Sequence, residues 1–428
     1  MPMRPYLLIG YVSFIAFAFK LSAQVYQNVQ IPPVSSKYPF NECEPSIAIN
    51  PLNPNEIAAG TVLTGYHFSK DGGQTWLTKS LKSPFGVYGD PVLQYDALGR
   101  LYYFHLSDYK KSSHLDRIVC QYADQIDGKF SKGSFAAPNG TKVQDKHWMT
   151  IDPKTQAIYM TWTQFDAYNS ADPKDTSIIV FSKSLDRGVT WSNPVRISKF
   201  GGDCLDGDNT VEGAVPALGA KGEIFVCWTG PKGIMFQCSK DGGLTWLPEE
   251  KKLADHVGGW DIQIPGIYRA NGLPFLMADM SGGPRNGTIY LNWCDQRNGA
   301  NDTDVWLMSS TDGGATWSEA KRINQDAPGK HQFLTSMAID QKNGELHFVY
   351  YDRRRFNTNS TDVIWAKSTD GGQTFSEQLI SNRPFIPDEH VFFGDYLGIA
   401  AFDGRVRPIW PRMDNGQITL WTALIDSK

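Results

Sequence analysis

The chain has little of what would place a protein against a membrane or a nucleic acid. Beyond its first residues no apolar run approaches the roughly 20 residues that a spanning helix needs, so no membrane span is expected. A formal net charge of −4 leaves no basic excess for a polynucleotide or an anionic lipid face. Cysteine is sparse: Cys43, Cys120, Cys204, Cys227, Cys238 and Cys294 have spacings from which no disulfide connectivity can be read. Only Cys227 and Cys238 suggest a pair, because they flank the turn Gly230-Pro231-Lys232-Gly233 on successive strands.

The first residues read as a secretory leader. Residues 1–4 are short and basic, 6–19 almost wholly apolar, and Leu21-Ser22-Ala23 ends in a small residue before Gln24. Cleavage is expected after Ala23, leaving one domain over residues 24–428 that is exported to the periplasm or the medium. No cysteine stands at the cleavage site, which removes the attachment point of a lipid anchor. Disulfides are permitted in such a compartment.

The body of the chain is rich in glycine, proline and aromatics, as an all-β chain with many turns should be. One phrase organises it. Residues 69–76, 184–191, 239–246, 310–317 and 368–375 share the pattern Ser-x-Asp-x-Gly-x-Thr-Trp/Phe. Each residue type suits a tight hairpin: Asp accepts bonds from turn N–H groups, Gly supplies positive φ, and the aromatic opens the next strand with a face to bury. The aspartates Asp71, Asp186, Asp241, Asp312 and Asp370 recur about every 57 residues, with one double step. The worn segment Ile126-Asp127-Gly128-Lys129-Phe130 fills that gap.

A second phrase, strand, Gly-containing turn and aromatic-ended strand, precedes each box and occurs seven times. Its last copy, from Leu397, lacks a fourth strand, and residues 25–32 are the candidate to supply it beside residues 417–425. Four-stranded sheets repeated about an axis and closed in this way make a β-propeller with no free edge. Seven blades are expected, with six the competitor, since the second box is worn.

The Ser-x-Asp-x-Gly-x-Thr-Trp box resembles the Asp-box, or BNR repeat, of the sialidase superfamily, and the resemblance covers the mature chain. It implies a propeller strongly and an activity weakly, because one fold carries many functions. Sialidases of that family use an early Phe/Tyr-Arg-Ile-Pro motif, three arginines on the substrate carboxylate, a Tyr nucleophile paired with Glu, and an Asp acid/base. This chain departs from the pattern: its closest phrase, Tyr268-Arg269-Ala270-Asn271-Gly272-Leu273-Pro274, comes late.

In a propeller the start of each innermost strand and the end of the second share one face, opposite the boxes. Starting positions include Glu44, Asp90, His147, Glu212, Arg269, His331 and Asp395 with Tyr396; ending positions include Asp166, Asp295 with Arg297, Asp352 with Arg353, and Arg412 with Asp414. Asp295-x-Arg297 and Asp352-Arg353 recur in two blades: Asp295 and Asp352 read as framework acids bracing the loop, while Arg297 and Arg353 are open to either a framework pair or the pocket. The expected catalytic set is Tyr396, Asp395, Glu212 and His147, with Arg269, Arg297, Arg353, Arg412 and Glu44 binding substrate. No metal or cofactor is expected; the acidic loop of residues 203–208 offers calcium carboxylates, but off the EF-hand spacing.

Two classes follow. One is a monomeric carbohydrate-active enzyme, a sialidase-like exo-glycosidase on acidic sugars, with a uronic-acid polysaccharide lyase as variant. The other is a non-catalytic propeller that binds a glycan or a protein.

Overall fold

A computed structural model describes residues 26–34, 42–108 and 115–426. The leader expected at residues 1–23 lies outside them. The described residues form seven four-stranded antiparallel sheets and a two-stranded ribbon, Asp261–Ile262 with Ala270–Asn271. The sheets occupy residues 46–80, 89–135, 143–196, 212–254, 275–322 and 332–379, and the seventh joins residues 398–426 to the N-terminal strand. We number these blades 1 to 7. Each innermost strand packs on that of the next blade, and the seventh packs on the first, so the ring closes. This is a seven-bladed β-propeller, as the count of repeated phrases predicts.

Closure follows the expected route. Gln27–Ile31 pairs with Gln417–Asp426, from Gln27 opposite Leu424 to Ile31 opposite Leu420. Ile31 is thereby buried with Ile47 and Trp76 of blade 1 and Ile409 and Leu420 of blade 7. The strand removes an open edge and ties the first blade to the last.

The five boxes sit between the third and fourth strands of blades 1, 3, 4, 5 and 6. In blade 1, Ser69 Oγ donates to Asp71 Oδ1 at 2.8 Å, and Asp71 accepts from Thr75 N at 2.9 Å and Thr75 Oγ1 at 2.6 Å. The same bonds recur around Asp186, Asp241, Asp312 and Asp370. The box also clasps the preceding blade. A Cβ on Gly243 would come within 2.4 Å of Phe181, and one on Gly314 within 2.4 Å of Phe236. Trp246 and Trp317 meet those same two phenylalanines edge-on, with ring centroids 5.0 and 5.4 Å apart. Glycine is therefore required twice over, for positive φ and for contact. In blade 2 the worn segment holds the equivalent turn, with Ile126 buried and Phe130 against Tyr66.

The cysteines correct one expectation. All six are buried, and Cys227 and Cys238 are not joined by a disulfide. The hairpin sets Cys227 opposite Phe236 and Cys238 opposite Phe225. The two thiols are thus diagonal neighbours, about 7–8 Å apart by sheet geometry, which a disulfide does not span. Counting residues across the turn placed them one pair too close.

Candidate functional site

The innermost strands enter the sheet through a recurring bulge. The ladder skips between Gly89 and Val92, Asp145 and Trp148, Glu212 and Val215, and Phe333 and Ser336. At this position Asp90, Lys146 and Leu334 have φ of 49°, 44° and 50°, Gly213 has 70°, and Glu44 in blade 1 has 51°. A left-handed conformation costs a residue with a Cβ about 1–2 kcal/mol, and such strain is retained where the surroundings hold it for a purpose. Three of the four strained non-glycine residues carry charge, and all three meet near the axis.

Lys146 is the centre of that meeting. Its ammonium lies 2.6 Å from Asp395, 3.4 Å from Asp90 and 3.6 Å from Glu44, with side chains at most 10 % exposed. Burial would lower the Lys146 pKa, but Asp395, Asp90 and Glu44 outweigh it and raise it well above the usual value. Asp395 also takes both arms of Arg269, Nε at 2.7 Å and Nη2 on the other oxygen. Burial opposes its charge, yet Lys146 and Arg269 hold the carboxyl well below the usual range. Asp395 is a fixed carboxylate.

Burial pushes other acids at the site toward the neutral form. Burial, and then Asp90, which accepts a hydrogen bond from it, push Glu44 well above the usual carboxyl range. Burial followed by Asp206 and Asp145 does the same to Glu212. Asp145 is pushed up to about 7, by burial and then by Asp90. Gly394 lets the chain pass Glu44 closely: a Cβ there would lie 2.8 Å from the Glu44 nitrogen.

Several buried polar atoms here make no hydrogen bond to the protein: both oxygens of Glu212, Oε1 of Glu44, both ring nitrogens of His147 and the hydroxyl of Tyr396. Buried polar groups are nearly always paired with protein or water, so such a concentration marks a place built to meet something else. Burial lowers His147 to about 4. Burial, with Asp90 and Glu44 next, raises Tyr396 well above its usual value. Both shifts favour the neutral form at physiological pH.

The structure brings together Glu44, His147, Glu212, Arg269, Asp395 and Tyr396 from the expected set. It does not bring the other arginines. Arg297 folds back on Asp295 at 2.6 Å and stacks on Trp306, its guanidinium 4.4 Å from the ring centre. Arg412 pairs with Asp414 at 2.9 Å and lies 3.7 Å over Trp421 of the neighbouring strand. Arg353 donates to Thr361 Oγ1 at 3.0 Å and to the Pro265 carbonyl at 2.6 Å. The expected meeting of at least three of these four arginines at the axis is therefore corrected: only Arg269 joins the axial cluster. Strand-end position was read correctly, but in each case a nearer acid, carbonyl or ring captures the guanidinium. The framework pair of blade 6 is also corrected: Asp352 binds Arg354 at 2.7 Å, two residues on, as Asp295 binds Arg297.

Lys146, Asp145 and Asp206 were missed. Asp206 accepts from Arg269 at 3.1 Å and from the Tyr168 hydroxyl at 2.7 Å, so the acidic loop reaches the axial site. Asp203 of that loop instead accepts from Thr210 at 2.8 Å, and Asp208 from the Asp261 nitrogen at 2.9 Å. Among the described residues no group of three or more His, Cys, Asp or Glu is arranged to hold a metal ion. The signal for Lys146 was present, since it occupies the place of Glu44 and Asp90 in the next blade. No helix of the described residues is long and apolar enough to cross a membrane.

Fold and site together define a seven-bladed propeller with an acid-lined axial centre, and sialidase propellers share that fold. A protein of unknown function from Dyadobacter fermentans DSM 18053 superposes with a TM-score of 0.53 at 13 % identity, over 94 % of this chain and 98 % of that one. The NanB sialidase from Streptococcus pneumoniae superposes with a TM-score of 0.50 at 12 % identity, over 79 % of this chain and 68 % of that one. No protein-family model matches the sequence. No curated protein matches it either.

Proposed function

We propose that this chain is an exported carbohydrate-active enzyme, a sialidase-like propeller in fold, whose chemistry rests on axial carboxylic acids rather than on an arginine clamp. One observation carries the reading. Glu44 and Glu212 are buried, pushed toward the neutral form and left with oxygens that make no hydrogen bond, at a centre where Lys146 and Arg269 keep Asp395 charged. A neutral carboxylic acid can donate to a glycosidic oxygen, and a carboxylate can activate water or stabilise the positive charge that develops at the anomeric carbon. Tyr396 and His147 supply neutral hydrogen-bonding groups beside them. An acidic sugar fits this centre less well, because Arg269 is already neutralised by Asp395 and Asp206.

The same geometry supports a binding-only propeller, because Asp395 is tied by two cations and is a poor nucleophile. Turnover separates the two readings. The parent protein, Glu212→Gln and Glu44→Gln are assayed on fluorogenic sialosides, neutral glycosides and amino-sugar glycosides, and on uronic-acid polymers. The enzyme reading expects cleavage of one class and a loss of about 100-fold or more in kcat when the general acid is removed. Saccharide binding without turnover on any class would refute it and leave the binding propeller.

A further inference from the structure

The two cations of the axial site make their ion pairs on one side of it, although Lys146 and Arg269 also act on Glu212, and Lys146 on Asp145, from a distance. Glu44, Asp90 and Asp395 surround Lys146, and Arg269 bridges Asp395 to Asp206. Glu212 and Asp145 form no ion pair with any cation among the described residues within 4.0 Å. They are nevertheless close enough to raise each other's energy, together with Asp206. Glu212 is fully buried and leaves both oxygens without a donor. A second observation concerns the rim. Tyr88, two residues before Asp90, is 44 % exposed, and Tyr268, next to Arg269, is 57 % exposed and meets Phe392 edge-on. Exposed rings beside a polar centre offer faces to the C–H surface of a sugar.

We propose that the axial site takes a saccharide bearing a free amino group, its ammonium seated against Glu212 and Asp145 and its rings lying along Tyr88 and Tyr268. The inference deepens the carbohydrate-active reading and rests on it. The physical reason is compensation: an ammonium supplies the donors that Glu212 lacks and a directly paired cation against which Glu212 can release its proton to solvent, so binding replaces an expensive buried acid by a paired carboxylate. An N-acetylated sugar brings neither the charge nor the three donors, and a uronic acid brings charge of the wrong sign.

The test uses the full mature chain and three β-1,4-linked tetrasaccharides of matched length: glucosamine, N-acetylglucosamine and glucose oligomers. Calorimetric titration at pH 6 should show the glucosamine oligomer binding at least tenfold more tightly than the other two. Glu212→Gln, which keeps shape and removes the ability to become a carboxylate, should erase that preference, and Asp145→Asn should reduce it. Tyr88→Ala should weaken all oligomers that bind while leaving the preference for the amine. Equal affinity for the three oligomers, or a preference that survives Glu212→Gln in a folded variant, overturns the proposal. Cleavage of neutral glycosides alone would overturn it while the enzyme reading stands; tight amino-sugar binding without turnover would do the reverse.

Discussion

Replacing Lys146 by Met is the sharpest probe of how the axial site is held. The ammonium is buried between Asp395, Asp90 and Glu44 at 2.6, 3.4 and 3.6 Å. Methionine keeps the length of the side chain and removes the charge, so the cost is that of leaving buried acids without their cation. Breaking a buried pair from one side costs about 3–5 kcal/mol. The acids can escape that cost by taking up protons, at about 1.4 kcal/mol per unit of pKa, so the loss should depend on pH. At pH 8 the full penalty is expected; near pH 4.5, where more of the cluster is protonated, most of it should vanish. Lys142→Met is the control, because its pair with Asp166 at 2.6 Å is partly exposed and should contribute no more than about 1 kcal/mol. Urea unfolding followed by tryptophan fluorescence measures both variants. If Lys146→Met and Lys142→Met shift the transition equally at pH 8, Lys146 is not the keystone of the site.

Three further outcomes follow from the same geometry. Deleting residues 26–31 uncovers the edge of Gln417–Asp426 and removes Ile31 from its cluster, so light scattering should show self-association; a monodisperse variant with an unchanged melting curve would refute the closure argument. Gly314→Ala forces a Cβ within 2.4 Å of Phe236 at a positive φ and should destabilise by about 1–3 kcal/mol, whereas saccharide binding at the far face should be unchanged in the folded fraction. Glu44, Asp145 and Glu212 have raised pKa values, so each contributes stability that is complete below the unfolded value of about 4 and is lost as pH rises through the folded value. For Asp145 the loss spans pH 4 to about 7. Unfolding free energy should fall over this range in the parent and fall less steeply in Glu212→Gln; an identical slope would contradict the protonated state assigned to that residue.

The fold was legible because its information is local and repeated. Each box writes its own turn, with Asp312 binding Thr316 and Ser310 within seven residues, and the missing fourth strand of the last copy pointed directly to the N-terminal strand. Blade 2 was legible from its neighbours' spacing once its box had worn away. The site was legible as a set of positions and not as a set of pairings. Strand starts located Glu44, Glu212, Arg269, Asp395 and Tyr396 on one face. Which charge each would meet depends on approaches between residues far apart in the chain, such as Lys146 with Asp395, and no spacing rule records those. Arg297 and Arg412 were misread for a nearer reason: an acid two residues away and a stacked indole outcompete a distant axis. The bulge that turns Glu44, Asp90 and Lys146 into the left-handed region has no motif in the letters, since Pro follows the first two and His the third.

The claim that the axial acids are the functional centre is tested most directly by a crystal structure of residues 24–428 with a bound saccharide, using Glu212→Gln to prevent turnover. The account predicts the sugar at the axis, within hydrogen-bond reach of residue 212, Glu44 and Tyr396, and against Tyr88 or Tyr268. Away from the axis, a cavity of about 470 Å³ lies between blades 6 and 7, lined by Tyr26, Trp365, Phe375 and Gln378. A saccharide found there, with the axis unvisited, would contradict the account.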